Sequence, residues 1–350
     1  MWSIRVCWLR QKRNRINRRE GGGMNNMLRW VAGAVLVLCG PAVSAQTADA
    51  AAAYPSKPVR FVVPFTPGAS NDIVARLVAA KLGEAWGQQF IIDNRGGAGG
   101  LVGADTVAKA VPDGYTLMLS NPGPSVNSPI LAKNAPYKVD DFVPVVFFGY
   151  APLMIFTNPA LPVRNPKELL EYLKANSGKV NWGSSGTGSS LHIGLALLQA
   201  ATGANVTHIP YKGSAPALID LVGGQIQFMH TTTVSAEAQI RGGRVRVIGV
   251  AANKRVALLP DVPTLAESGI KDAEAIVWFG MAAPAKTPAA IINKLNRESN
   301  RLLGLPDVKK RFDELGLEVQ GGTPEEFQRF VVNEVARLNR LIKMGALTRE

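Results

Sequence analysis

Residues 59–82 read Val59-Arg-Phe-Val-Val-Pro-Phe-Thr-Pro-Gly68-Ala-Ser-Asn-Asp72-Ile-Val-Ala-Arg-Leu-Val-Ala-Ala-Lys-Leu82. Phe61, Val62, Val63 and Phe65 form a short apolar run rich in β-branched and aromatic residues, the composition of a strand buried on both faces. Thr66 to Ser70 is turn chemistry, and beyond it Val74, Val78 and Leu82 recur every fourth residue with Ile73 and Leu77 alongside, which predicts a helix. Small residues between a buried strand and a helix start leave the first N–H groups free, and those groups together with the helix dipole attract an anion. An ordinary βα turn is the alternative, so a binding site requires a second loop facing the first.

Working backward from Val59, the chain opens on a leader. Met24 to Arg29, the uncharged run Trp30 to Cys39 and Val43-Ser44-Ala45 before Gln46 match the basic, apolar and cleavage regions of a secretory signal peptide. Residues 1–23 carry seven Arg or Lys and read as an extension upstream of a natural start at Met24. Residues 1–45 hold eight Lys or Arg and one Glu, so the formal charge of +13 for the whole chain falls to +6 without them. No basic stripe with interleaved aromatics is present, so nucleic acid is not the partner. Both cysteines, Cys7 and Cys39, lie in the leader, which leaves the exported part without disulfide or thiol chemistry. No later segment approaches the roughly 20 apolar residues of a membrane-spanning helix.

Working forward, Phe90 to Asp93 is a second strand, Asn94 to Gly100 a glycine loop and Val102 to Ala110 a helix, which repeats the βα unit. The turn Pro112-Asp113-Gly114-Tyr115 precedes a strand at Thr116 to Leu119. The long apolar stretch Val143 to Thr157, interrupted by Pro144, Gly149 and Pro152, suits a strand that leaves one lobe and enters another. Asn165-Pro166-Lys167-Glu168 opens a helix with Asn as cap and Pro at the first position. Helices are expected at Leu191 to Thr202 and Ala215 to Val222, and strands at Val206 to Ile209, Ile226 to Met229 and Val245 to Ala251. Trp278 to Ala283 returns the chain to the first lobe, and helices starting at Thr287-Pro288 and Thr323-Pro324 end it. Such alternation predicts an α/β fold of two lobes, each a mainly parallel sheet flanked by helices. Residues 54–150 with 279–350 form lobe one and 151–278 lobe two.

The second loop is Gly183-Ser-Ser-Gly-Thr-Gly-Ser-Ser190, five hydroxyls beside its three glycines, set between a strand and a helix. It offers another anion-ready helix start. Leu191 stands where a dinucleotide fingerprint needs its third glycine, the phosphate-binding Gly-Lys-Ser/Thr pattern is missing, and there is no Gly-x-Ser-x-Gly elbow. His192, His208 and His230 are too few and too widely spaced for a metal motif. Asp72, Asp113 and Asp220 sit where capping or turns explain them. Arg95 could meet a carboxylate or a surface acid, and Tyr211-Lys212-Gly213 could line a cleft or make a turn.

Together these stretches resemble the substrate-binding proteins of tripartite tricarboxylate transporters, the TctC-like or Bug family. The resemblance is carried by Tyr54 to Arg60 with Val62 to Phe65, Gly68 and Asp72; by Asn94-Arg95 and Gly97 to Gly100; by Pro112 to Leu117; and by Gly183 to Ser189 with His192. It continues through Pro210 to Gly213, Pro216-Ala217, Asp220-Leu221, Leu259 to Thr264, Trp278, Gly280 and Ala283-Pro284. It implies a type II, Venus-flytrap periplasmic binding protein that presents a small carboxylated ligand to membrane permease subunits. It also implies that the ligand carboxylate is held by backbone N–H groups, hydroxyls and water. The sequence departs from the family pattern at Ala69, Gly96, Ala196, His230-Thr231, Lys286 and Leu338, so the ligand cannot be copied from a relative.

The candidate ligand-binding set is Phe65, Thr66, Gly68, Ala69, Ser70, Asp72 and Ser120 from lobe one and Ser184, Ser185, Thr187, Gly188, Ser189, His192 and Thr231 from lobe two. A monomeric, non-catalytic periplasmic receptor without metal or cofactor is expected. The alternatives are a ligand-sensing subunit of a membrane signalling partner and an exported serine hydrolase using Ser185 or Ser189 with His192.

Overall fold

A computed structural model describes residues 52–349; the signal peptide and the Met24 start expected from the sequence lie outside the described residues. Strand β1 (Val59–Val63) is buried along nearly its whole length. The turn after it delivers the chain to α1 (Ser70–Trp86), whose Val74, Val78 and Leu82 are buried as the four-residue spacing requires. Full burial of each such side chain contributes about 1.5–3 kcal/mol. The helix ends where Gly87, at φ 64°, adopts the left-handed conformation and returns its N–H to Gly83.

The first sheet also takes β2 (Phe90–Asn94), β3 (Thr116–Ser120), β4 (Phe142–Pro152), β10 (Ile276–Pro284) and β11 (Glu318–Val319), in the order β11-β4-β10-β3-β1-β2. Helix α2 (Leu101–Ala108) follows the glycine loop and short α3 (Ser128–Leu131) follows β3. The second sheet is β7 (Thr207–Pro210), β6 (Asn181–Ser184), β8 (Phe228–Thr231), β5 (Met154–Thr157) and β9 (Arg246–Val250), in that spatial order. Its helices are α4 (Pro166–Ala175), α5 (Ser190–Thr202), α6 (Ser214–Val222) and α7 (Thr233–Arg241). Helices α8 (Ala289–Leu303), α9 (Pro306–Glu314) and α10 (Pro324–Lys343) complete the described chain.

Both sheets are mixed rather than mainly parallel. The βα units pair in parallel, as β1 does with β2 and β3 and β6 with β7 and β8. The strands that pass between the sheets run the other way: β10 is antiparallel to β3 and β4, and β5 to β8 and β9. The chain crosses at Leu153, the single residue between β4 and β5, whose N–H donates to the Ala275 carbonyl and whose carbonyl accepts from Ala251, each at 2.9 Å. The return crossing is at Ala275, so both lie a few residues inside the limits of 151 and 278 suggested by the sequence.

Local signals are met where side chains close them. The Asn165 side chain accepts from the N–H groups of Lys167 and Glu168. Thr323 and Glu326 cap each other's backbone at the start of α10. Gly280 is required because a Cβ there would stand 2.5 Å from the Phe327 ring, which packs on β10. The sequence reading missed three helices, one of them the single-turn α3. Thr232 to Ser235 brings α7 in with no Gly or Pro to announce it, and α9 buries only Val308 and Phe312.

Candidate functional site

The turn before α1 is tied by side chains at its base. Asp72 accepts the Gly68 N–H at 3.0 Å, Asn94 Nδ2 at 3.0 Å and Arg76 Nε at 2.9 Å. Burial alone raises this carboxyl's pKa, but the hydrogen bonds from Arg76, Gly68 and Asn94 outweigh it and hold it below the usual range. Asn94 Nδ2 also reaches the Phe65 carbonyl at 3.1 Å. Asp72 is therefore committed to shaping the loop. Arg95 is likewise engaged, with Asp93 at 2.8 Å.

The loop before α5 is built by the same logic with different atoms. Ser184 Oγ lies 2.6 Å from His208 Nε2 and accepts the Gly186 N–H at 3.1 Å. Ser189 is the N-cap of α5 and accepts the His192 N–H. The Gly188 N–H donates to His192 Nδ1 at 3.2 Å, which places the ring proton on Nε2. Burial lowers the His192 pKa, and the ring lies flat against His208 with centroids 4.2 Å apart. Gly188 belongs to the candidate ligand-binding set. Its N–H is turned inward, and the residue instead makes the loop thin enough for the other lobe to touch it.

Each of the two loops lies against the opposite lobe. A Cβ on Gly188, at φ 79°, would stand 2.6 Å from Ser128 Oγ, and one on Gly99 would run into the Thr187 carbonyl. Gly213 lies against Thr66, Gly96 against the Lys212 carbonyl, and Gly68 against Ala215. The Ser70 N–H donates to Ser235 Oγ at 3.1 Å, and Ser235 Oγ lies 3.2 Å from Ser214 Oγ. Tyr211-Lys212-Gly213 thus lines the cleft, while the Tyr211 hydroxyl is anchored on Asp220 at 2.7 Å.

Of the candidates, Thr66, Gly68, Ser70, Thr187 and Gly188 stand directly at this contact, with Phe65, Ala69 and Ser185 buried beside them. Ser120 is buried and bonded to Ser125 Oγ at 2.8 Å, and the next residue, Asn121, joins its amide to that of Asn71 at 2.7 Å. Thr231 is buried at the end of β8, opposite Met154. Asn71, Asn121, Ser128, Ser214 and Ser235 were not anticipated. Ser120-Asn121 and Thr232-Thr233-Val234-Ser235 each place hydroxyls or amides straight after a strand, the pattern already read in the other two loops. The buried Thr66 Oγ1 and Thr232 Oγ1 have no hydrogen-bond partner among the described residues. The arrangement is a closed seam of hydroxyls, amides and backbone groups that offers neutral donors to an anion.

Residues 74–347 match the model of the tripartite tricarboxylate transporter family receptor. The fold is similar to that of the periplasmic binding protein BugD, with a TM-score of 0.81 and 37% identity over 85% of this chain and 100% of that one. It is similar to R. palustris Rpa4515 with adipate, with a TM-score of 0.80 and 35% identity over 83% of this chain and 97% of that one. For MatC from Rhodopseudomonas palustris with bound malate the values are 0.79 and 33%, over 83% of this chain and 100% of that one. The two sheets joined at Leu153 and Ala275 are the two lobes of a periplasmic binding protein, and the chain belongs to the tripartite tricarboxylate transporter receptor family.

Proposed function

We propose that the protein is a periplasmic receptor for a small organic dicarboxylate, which it closes on between the α1 and α5 loops and hands to the permease subunits of a tripartite transporter. The observation that carries this reading is that the helix-start loops before α1 and α5 each lie against the opposite lobe, through uncharged hydroxyl and backbone groups. Relatives of the same fold hold adipate and malate, both dicarboxylates, which supports the same ligand class here. The apolar leader ending in Val43-Ser44-Ala45 supports export. Micromolar binding needs about 8 kcal/mol, more than one helix end supplies at roughly 2 kcal/mol or less, so several direct hydrogen bonds from both lobes must contribute.

A hydrolase is less well supported. Ser189 caps α5, His192 Nδ1 is occupied by the Gly188 N–H, and Ser184, the serine nearest a histidine ring, is wholly buried. Native mass spectrometry of the protein as purified, followed by calorimetry with malate and adipate, tests the reading. One equivalent of a dicarboxylate with heat of binding is expected. Failure of malate, adipate and a panel of other di- and tricarboxylates to bind folded protein would overturn it.

A further inference from the structure

We propose that the hinge carries a second ligand site, which takes a small organic cation with an apolar body. A hollow of about 860 Å³ lies beside the crossing strands, within the range of roughly 300–1,000 Å³ typical of small-molecule sites, which favour domain interfaces. Its apolar walls include Ile276 of β10, Val256 and Leu258 from the segment after β9, and Leu317 before β11. Leu258 is 46% exposed there, an apolar surface without a cover.

The charges around the hollow do not balance. Lys254 faces Glu318 at 3.6 Å, and Arg255 is held by Glu267 at 3.0 Å and by the Pro260 carbonyl. Glu318 additionally accepts the Tyr150 hydroxyl at 2.6 Å. The carboxylates of Glu274 and Asp313, also on the wall, have no cationic partner among the described residues, since Arg337 donates to the Glu274 backbone carbonyl and not to its side chain. The cations of the wall are engaged and two carboxylates are left, in a chain whose overall charge is positive. An ammonium group with a hydrocarbon body matches both the residual charge and the walls. Because the walls come from both lobes, the contacts of an occupant depend on the hinge angle, and anion affinity at the cleft must change when the hollow is filled.

The site shares no residue with the anion cleft, so its test stands whatever the cleft binds. Hexylammonium, with hexanoate as the control of opposite charge, is titrated into the isotopically labelled full chain and followed by residue-resolved NMR. Saturable shifts at residues 251–260 and 313–318 are expected, with a dissociation constant on the order of 1 mM or tighter, and no hexanoate response at those residues. The Glu274→Gln, Asp313→Asn double variant should weaken hexylammonium by roughly tenfold with an unchanged melting temperature. Ala257→Trp, which fills the hollow from an exposed position, should remove binding. No hexylammonium shifts, equal binding by the double variant, or hexanoate shifts at the same residues would each overturn the assignment.

Discussion

The first backbone N–H of α1, that of Ser70, donates to the Ser235 hydroxyl at 3.1 Å across 165 residues of chain. It belongs to the helix end that the sequence marks for an anion, and a hydroxyl from the opposite lobe holds it. The contact exists only while the lobes touch. Ser235→Ala should therefore destabilise the closed form by about 0.5–1.5 kcal/mol. Small-angle scattering should show a larger radius of gyration, and calorimetry a several-fold weaker affinity for the bound dicarboxylate. A variant as compact and as tight as the parent would show that the bond does not hold the lobes.

Two glycines at left-handed φ separate closure from backbone strain. A side chain on Gly188 meets Ser128 at 2.6 Å, whereas one on Gly68, at φ 77°, meets only Ala215 at an ordinary 3.7 Å. Gly188→Ala should block closure and cut affinity by roughly a hundredfold or more, equivalent to about 3 kcal/mol. Gly68→Ala should cost about 1 kcal/mol in stability and bind within several-fold of the parent. Calorimetry and thermal melting read the two effects separately, and equal affinities for the two variants would contradict the seam described above.

His230 is fully buried beside Trp182, with neither ring nitrogen paired among the described residues, and burial pushes its pKa down to about 3. The unfolded chain takes up this proton near pH 6.5 and the folded chain does so only near 3, so the unfolded state binds more protons between the two. Stability from this group is complete above about pH 6.5 and is lost progressively as the pH falls toward 3. His230→Leu should melt within about 1.5 kcal/mol of the parent at pH 7 and lose much less stability over that acid range. Melting curves from pH 7 to 4 decide it; parallel loss in both proteins would mean that His230 is not the titrating group.

The Gly188 N–H depends on His192 Nδ1 for its partner. His192→Leu leaves this buried donor unpaired at a cost of about 1–3 kcal/mol, and the loop should open locally to hydrate it. Amide exchange at Gly188 should speed up at least several-fold while exchange in β6 stays slow. Unchanged protection would show that the loop is held by its packing alone.

The opening βα unit was legible because its information is local. Val74, Val78 and Leu82 recur at helical spacing directly after an apolar strand, and Thr66 to Ser70 cannot continue either element. The crossing at Leu153 was legible for the same reason, as an apolar run too long and too interrupted for one helix. Strand direction was not, because strands buried on both faces read as the same apolar run whether their neighbours are parallel or antiparallel, and the sheets proved mixed. Helix α7 was missed since Thr232-Thr233-Val234-Ser235 turns without Gly or Pro, and with it went Ser235, the partner of Ser70. The inward turn of the Gly188 N–H depends on the reach of one imidazole four residues on, a geometry no spacing rule carries.

The crossings at Leu153 and Ala275 also set a timetable for synthesis. Every strand of the five-stranded sheet lies between Met154 and Val250, so that sheet can be assembled as soon as its own stretch has been made. The six-stranded sheet takes its central strand, β10, from residues 276–284 and its edge from 318–319. Strands β1, β2 and β3 can pair early, but β3 and β4 must wait for β10 with an edge unpaired until most of the chain exists. The nascent lobe that carries both ends of the fold is the one open to wrong strand pairing, and the inserted lobe is the one that can fold first.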